Sequence, residues 1–105
     1  MIEPPVKQML ILMNESDLWQ DRPLYEGLMR RLQQLGVAGA TVYKGIMGMG
    51  SHHKVHHKGL FGVSDDPPVS ISIFDSEARL RELAPKLREM APESLMILLD
   101  VEVLP

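Results

Sequence analysis

Cysteine is absent from the 105 residues, which excludes a disulfide framework, a thiolate nucleophile and any cysteine-ligated zinc or iron–sulfur centre. Long hydrophobic runs are absent too. The longest, Met9 to Met13 and Leu95 to Leu99, fall far short of the roughly 20 residues needed to span a bilayer, so direct membrane insertion is not expected. The start of the chain, with Glu3, Pro4 and Pro5, has neither the basic end nor the apolar stretch of a secretion signal, and a reducing cytoplasm is the expected compartment. An excess of positive charge is also missing. The formal net charge is −3, which gives no global attraction to nucleic acid or to anionic membranes. No Gly-x-Ser-x-Gly elbow or Ser/His/acid order appears. The single cluster with a suitable pKa for acid–base work is a set of histidines in one loop, so a catalytic role is not expected.

What is present describes one globular domain over residues 1–105. The 45% hydrophobic and 24% charged shares are ordinary for such a domain. At this length a chain buries somewhat under two-thirds of its unfolded surface, so association with further copies would help noticeably. Val6 to Met13 reads as a strand, and because Met9 to Met13 offers apolar side chains to both faces it should be central and covered on both sides. Leu24, Leu28, Leu32 and Leu35 recur at helical spacing, with Asp21 as a plausible cap, Pro23 in the first turn and Gly36 as the stop. Ala40 to Ile46 is a second strand. Val69, Ile71 and Ile73 alternate with Ser70 and Ser72 as a third. Leu80, Leu83, Ala84, Leu87 and Met90 mark a second helix opened by Asp75 or Ser76, in which Pro85 is expected to introduce a kink or break near Ala84. Leu95 to Val103 closes the pattern as a strand. Strand, helix, strand, repeated twice, is the order of the ferredoxin-like βαββαβ sandwich: an α+β fold with a four-stranded antiparallel sheet and two helices on one face.

Between Met47 and Pro68 no periodicity survives, and a stretch of this length in so small a domain is usually a binding loop or disordered. Its charge is distinctive. From Gly27 to Ser64 there is no Asp or Glu, while Arg30, Arg31, Lys44, Lys54 and Lys58 carry five positive charges. Such a local field suits an anionic ligand or an acidic partner surface. At the entrance, Gly45, Gly48 and Gly50 permit close backbone approach to a ligand, with Met47 and Met49 beside them. This is not a Walker loop, since the Lys-Ser/Thr pair is missing. The candidate ligand-binding residues are therefore Lys44, Gly45, Gly48, Met49, Gly50, Lys54, His56 and Lys58. The alternative is a divalent metal held by His52, His53, His56 and His57, because imidazoles four residues apart can share a face; Lys54 and Lys58 would repel the cation. Glu15, Asp17 and Asp21 read as turn and cap residues rather than a catalytic pair. Met9, Met13, Met29, Met90 and Met96 fall on core positions and read as packing.

Glu15–Ser16–Asp17, Trp19, Pro23–Leu24–Tyr25–Glu26, Gly39–Ala40–Thr41–Val42, Gly45–Ile46–Met47–Gly48 and Asp100–Val101–Glu102–Val103 together resemble the bacterial PII-like family catalogued as domain of unknown function 190, related to the nitrogen regulatory protein PII. The resemblance covers nearly the whole chain and is most specific from Gly39 to Gly48. It implies a homotrimer of ferredoxin-like subunits with ligand clefts between them and a long loop that changes shape on binding. It also implies an adenine nucleotide as ligand and a membrane transporter, channel or enzyme as regulated partner. Gly48–Met49–Gly50 resembles the Gly-Phe-Gly at the PII loop base, and His56 falls where family members often place a histidine. PII proteins carry a glycine- and lysine-rich loop after the second helix, where this chain has Ala91–Pro92–Glu93–Ser94, and their basic segment beyond the last strand has no expected counterpart after Val103. These departures leave a smaller or less charged anion, such as a monophosphate nucleotide. Two other readings belong with the same frame: a metal-responsive protein resembling the divalent-cation-tolerance relatives of PII, and an accessory subunit of a transporter without a small ligand.

Overall fold

A computed structural model of the chain describes residues 2–49 and 66–105. In these, β1 (Val6–Asn14) is followed by the two-residue strands β2 (Leu18–Trp19) and β3 (Arg22–Pro23), α1 (Leu24–Leu35), β4 (Gly39–Lys44), β5 (Pro68–Ser76), α2 (Glu77–Met90) and β6 (Leu95–Asp100). The main sheet has the order β4-β5-β1-β6 with every neighbouring pair antiparallel. This is the ferredoxin-like arrangement expected from the repeated strand–helix–strand order, and it places β1 at the centre.

Period-two alternation divides the sheet into two faces. On the helix side Met9, Ile11 and Met13 of β1 and Val69, Ile71 and Ile73 of β5 meet Leu24, Leu28 and Leu32 of α1 and Leu80, Leu83 and Leu87 of α2 in one core. Met29, Met90 and Met96 pack against its margin. Ile11, Leu28, Ile71, Ile73, Leu80 and Leu87 are wholly buried, each contributing roughly 1.5–3 kcal/mol relative to an exposed side chain. The other face carries Leu10 and Leu12 of β1, Ile97 and Leu99 of β6 and Phe74 of β5, half covered or open. In its middle the Gln8 amide donates to the Ser72 hydroxyl at 2.8 Å. The prediction that β1 is apolar on both faces is met, but the second face has no cover among the described residues.

Several boundaries differ from expectation for definable reasons. Helix α1 starts directly after Pro23 without a side-chain cap; instead the backbone carbonyl of Asp17 accepts from the Leu24 N–H at 2.8 Å. Asp21 is not the cap. With Gln20 it forms the turn of the β2–β3 hairpin, at φ 49° and 62° for the two residues, the left-handed pair that a tight hairpin turn requires. Gly36 stops α1 as expected, at φ 71°. Ser76 caps α2, its hydroxyl accepting from the Arg79 N–H at 3.2 Å. The helix then runs from Glu77 to Met90 without a break at Pro85, because Pro85 sits on the exposed side, where water can satisfy the freed carbonyl. Strand β4 ends at Lys44 rather than Ile46, and β6 ends at Asp100 rather than Val103.

The α2–β6 turn is tied by Arg88, whose Nη1 donates to the carbonyls of Ala91, Pro92 and Ser94 at 3.0, 3.1 and 2.7 Å. At the opposite end Asp75 is buried and accepts from the backbone N–H groups of Ala38 at 3.1 Å and Ser76 at 2.7 Å. That carboxylate fixes the α1–β4 turn against the start of α2.

Candidate functional site

Both described ends of the long loop converge on the turn that follows β1. After Lys44, the Gly45 N–H donates to the Pro68 carbonyl at 2.7 Å, and the Glu15 N–H donates to the Pro67 carbonyl at 3.0 Å. Ser16 holds Asp66 twice, through its N–H at 2.9 Å and its hydroxyl at 2.6 Å. The Lys44 ammonium pairs with the Glu15 carboxylate at 2.8 Å. That hydrogen bond, reinforced by the carboxylate charge, holds the Lys44 pKa above its ordinary value.

The glycines at the loop entrance are explained by this convergence. A Cβ on Gly45 would stand 2.6 Å from Cγ of Pro68 and 3.3 Å from its carbonyl oxygen; one on Gly48 would stand 2.8 Å from the same Cγ. The absence of a side chain at both positions lets residues 45–48 fold closely over Pro68. Ile46, Met47 and Met49 point outward and are strongly exposed. The site is thus a clamped loop base with the Lys44–Glu15 ion pair, the Asp66 carboxylate held by Ser16, exposed backbone and three apolar side chains on its rim.

Of the sequence-predicted residues, Lys44, Gly45, Gly48 and Met49 lie at this base, while Gly50, His52, His53, Lys54, His56, His57 and Lys58 fall outside the described residues. All four histidines of the metal alternative are among the latter. Among the described residues no group of three His, Asp or Glu side chains is placed to hold a metal. Glu15, Ser16 and Asp66 were not singled out as site residues by sequence reasoning. Ser16 and Asp66 are 50 residues apart, and no local spacing announces the pairing.

Comparison with known proteins places this geometry in context. Residues 6–103 match the model of the DUF190 family, described as uncharacterized ACR. The chain belongs to the DUF190 family. It is 35% identical over 98 residues to a UPF0166 protein of Methanocaldococcus jannaschii, covering 92% of this chain and 90% of that one. To a UPF0166 protein of Aquifex aeolicus it is 29% identical over 98 residues, covering 93% and 92%. Among solved structures it resembles CPII, a nitrogen regulatory PII-like protein from Thiomonas intermedia, bound to ADP, AMP and bicarbonate, with a TM-score of 0.65, 18% identity and 93% of each chain covered. A second structure of CPII, bound to ADP, AMP and acetate, gives a TM-score of 0.66 at 19% identity, covering 95% of this chain and 89% of that one. At such identity the likeness is one of fold: this DUF190 chain has the PII-like architecture. No helix among the described residues is long and apolar enough to cross a membrane.

Proposed function

We propose that this DUF190 protein is a non-enzymatic, PII-like regulator that binds an adenine nucleotide, in the first place a monophosphate, at the loop base, and passes its occupancy to a partner protein. The observation that carries the reading is the convergence of both loop ends on Lys44 and the β1–β2 turn, on a fold whose solved relative CPII was obtained with ADP and AMP. Lys44, positioned by Glu15 at 2.8 Å, exchanges that pair for the anionic group of the ligand, the backbone of Gly45 to Met49 gives the close approach, and Ile46, Met47 and Met49 the apolar contact for a base. Lys54, His56 and Lys58 add to the acid-free field from the loop. Arg88 is engaged with three turn carbonyls, and Ala91–Ser94 brings no further cation, which favours one phosphate over three. We further propose a homotrimer, in which the open sheet face is covered by neighbouring copies and the clefts between subunits complete the site.

Thermal unfolding of the metal-stripped protein tests the ligand. At a hundredfold excess over the dissociation constant a bound nucleotide stabilises by about 2.7 kcal/mol, a shift of several degrees or more for a domain of this size. AMP is expected to shift the midpoint more than ATP does, and Lys44→Ala to lose most of the shift. A response to zinc, copper or nickel alone that disappears near pH 6 would replace this reading with the histidine cluster. No response to any nucleotide, anion or metal would leave a partner-binding subunit without a small ligand.

A further inference from the structure

The ion pair at the loop base is set up by the backbone on both sides. The Gly45 N–H, next after Lys44, donates to the Pro68 carbonyl at 2.7 Å, and the Glu15 N–H donates to the Pro67 carbonyl at 3.0 Å. Two consecutive carbonyls thus hold the chain beside each partner, and the side chains meet at 2.8 Å. The turn that carries Glu15 is fixed again by its neighbours. The Asn14 N–H donates to the Asp17 carboxylate at 2.9 Å, and Ser16 holds the Asp66 carboxylate through its N–H and its hydroxyl.

Glu15 differs from these two acids in what its carboxylate does. Asp17 and Asp66 bind donors of the turn itself, whereas among the described residues Lys44 is the partner of the Glu15 carboxylate. The pair is also open to water, with the Lys44 side chain 61% and the Glu15 side chain 36% exposed. An ion pair so exposed is weak, and an incoming anion can displace it. The displaced carboxylate has nowhere far to go, because the Pro67 carbonyl and the Ser16–Asp66 bonds keep its backbone beside Lys44.

We propose that Glu15 is the specificity-determining residue of this base: its carboxylate stands in the anion position at Lys44 while the site is empty, and once displaced it repels the ligand in proportion to the ligand's charge. The inference rests on the reading of the base as an anion site. Repulsion between like charges at close range grows with each added charge, and a repulsive element of this kind is a common source of selectivity. Asp66, held next to Glu15 by Ser16, adds to the same field. A monophosphate meets the smallest penalty and a triphosphate the largest, so the preference for one phosphate is built into the site as well as left by the cations it lacks.

Glu15→Gln removes the charge and keeps the size, and its amide oxygen can still accept from the Lys44 ammonium. By titration calorimetry at low salt the variant is expected to bind AMP about two- to fivefold more tightly than the parent, to gain more for ADP and most for ATP, and to lose these gains at high salt. Glu15→Asp, which restores the charge, should return the parent's order of preference. Unchanged or weaker AMP binding in Glu15→Gln, or an equal gain for AMP and ATP, overturns the proposal. A second measurement does not depend on the nucleotide. Labelling of Lys44 by pyridoxal phosphate and borohydride, an anionic reagent, is compared with labelling by neutral acetic anhydride, each read by mass spectrometry against Lys86, which is exposed on α2. Glu15→Gln should raise the anionic labelling of Lys44 about twofold or more beyond any rise in the neutral labelling. That result with no nucleotide bound to either protein supports the role of Glu15 and discards the nucleotide reading; equal changes in the two labels overturn the role of Glu15 whatever ligand binds.

Discussion

Gly45, Gly48 and Pro68 show how a site is shaped by what side chains leave out. Lys44 is the last residue of β4, and the chain must then turn over the first residue of β5; any Cβ at 45 collides with the Pro68 ring. Alanine at Gly45, whose added Cβ falls 2.6 Å from Pro68 Cγ, is expected to cost about 1–3 kcal/mol of stability through overpacking. The ring is the cause, so Pro68→Ala in the same chain should recover part of the loss, and urea unfolding of the two single variants and the double variant measures the coupling. Strict additivity would show that the glycine serves something other than this contact. Such a reason for a glycine cannot be read from sequence, because Pro68 and Gly45 are joined by the sheet. The glycine-rich entrance itself was legible, since it interrupts a strand pattern beside a lysine. Glu15 and Asp66 were not, since an acid in a turn usually serves the turn.

At the scale of elements, β1, β6 and α2 are tied by a chain of charges. Lys7 hydrogen-bonds Asp100 and stands 3.8 Å from Glu77, which pairs with Arg81 at 2.8 Å. The Lys7 hydrogen bond, then its charge, hold the Asp100 carboxyl below its ordinary 3.8; the Arg81 hydrogen bond, then Lys7, hold Glu77 below 4.5. Asp100 in turn raises Lys7 above 10.5. A depressed carboxyl stabilises the fold above its unfolded pKa and loses that contribution as pH falls through the folded value; the raised lysine contributes below 10.5 and loses its share as pH rises beyond it. Asp100→Asn should therefore flatten the fall in stability below about pH 4 and the fall above the ordinary lysine range, with a small effect at neutral pH because the pair is exposed. Denaturant midpoints across pH at low salt check this; equal acid slopes in parent and variant would remove the pair from the stability account. The elements themselves were largely legible: leucine spacing gave α1, Gly36 its end, and Ser/Ile alternation β5. The errors share one cause. Period-two alternation marks Val101 and Val103 as strand-like but cannot see that the partner strand runs out into Pro5 and Pro4 just before Val6, and a proline in a helix pattern does not reveal that it faces solvent.

For the whole molecule the question is what covers the second face of the sheet. Leu12, Phe74 and Leu99 are each more than a third exposed, and Tyr43 and Leu95 more than half, on the face that also holds the Gln8–Ser72 bond. The described residues of a single copy leave this surface in water, and a chain of 105 residues has little stability to spare. If three copies share it and unfold as they part, tenfold more protein adds about two-thirds of 1.4 kcal/mol, roughly 0.9 kcal/mol, per protomer. That amounts to a midpoint higher by about 4–7 °C for each tenfold rise in concentration, without any ligand present. Calorimetry of the ligand-free protein over a hundredfold range reads this directly, and a Leu10→Glu variant, altered at the centre of the face, should lose most of the dependence. A midpoint that stays constant across that range in the parent would mean that the subunit is stable alone, and the open face would then need a different occupant. The dependence also fixes the order of events for ligand binding. If the clefts exist only between assembled copies, nucleotide affinity must fall on dilution together with the thermal midpoint, whereas a site complete within one subunit keeps its affinity at every concentration.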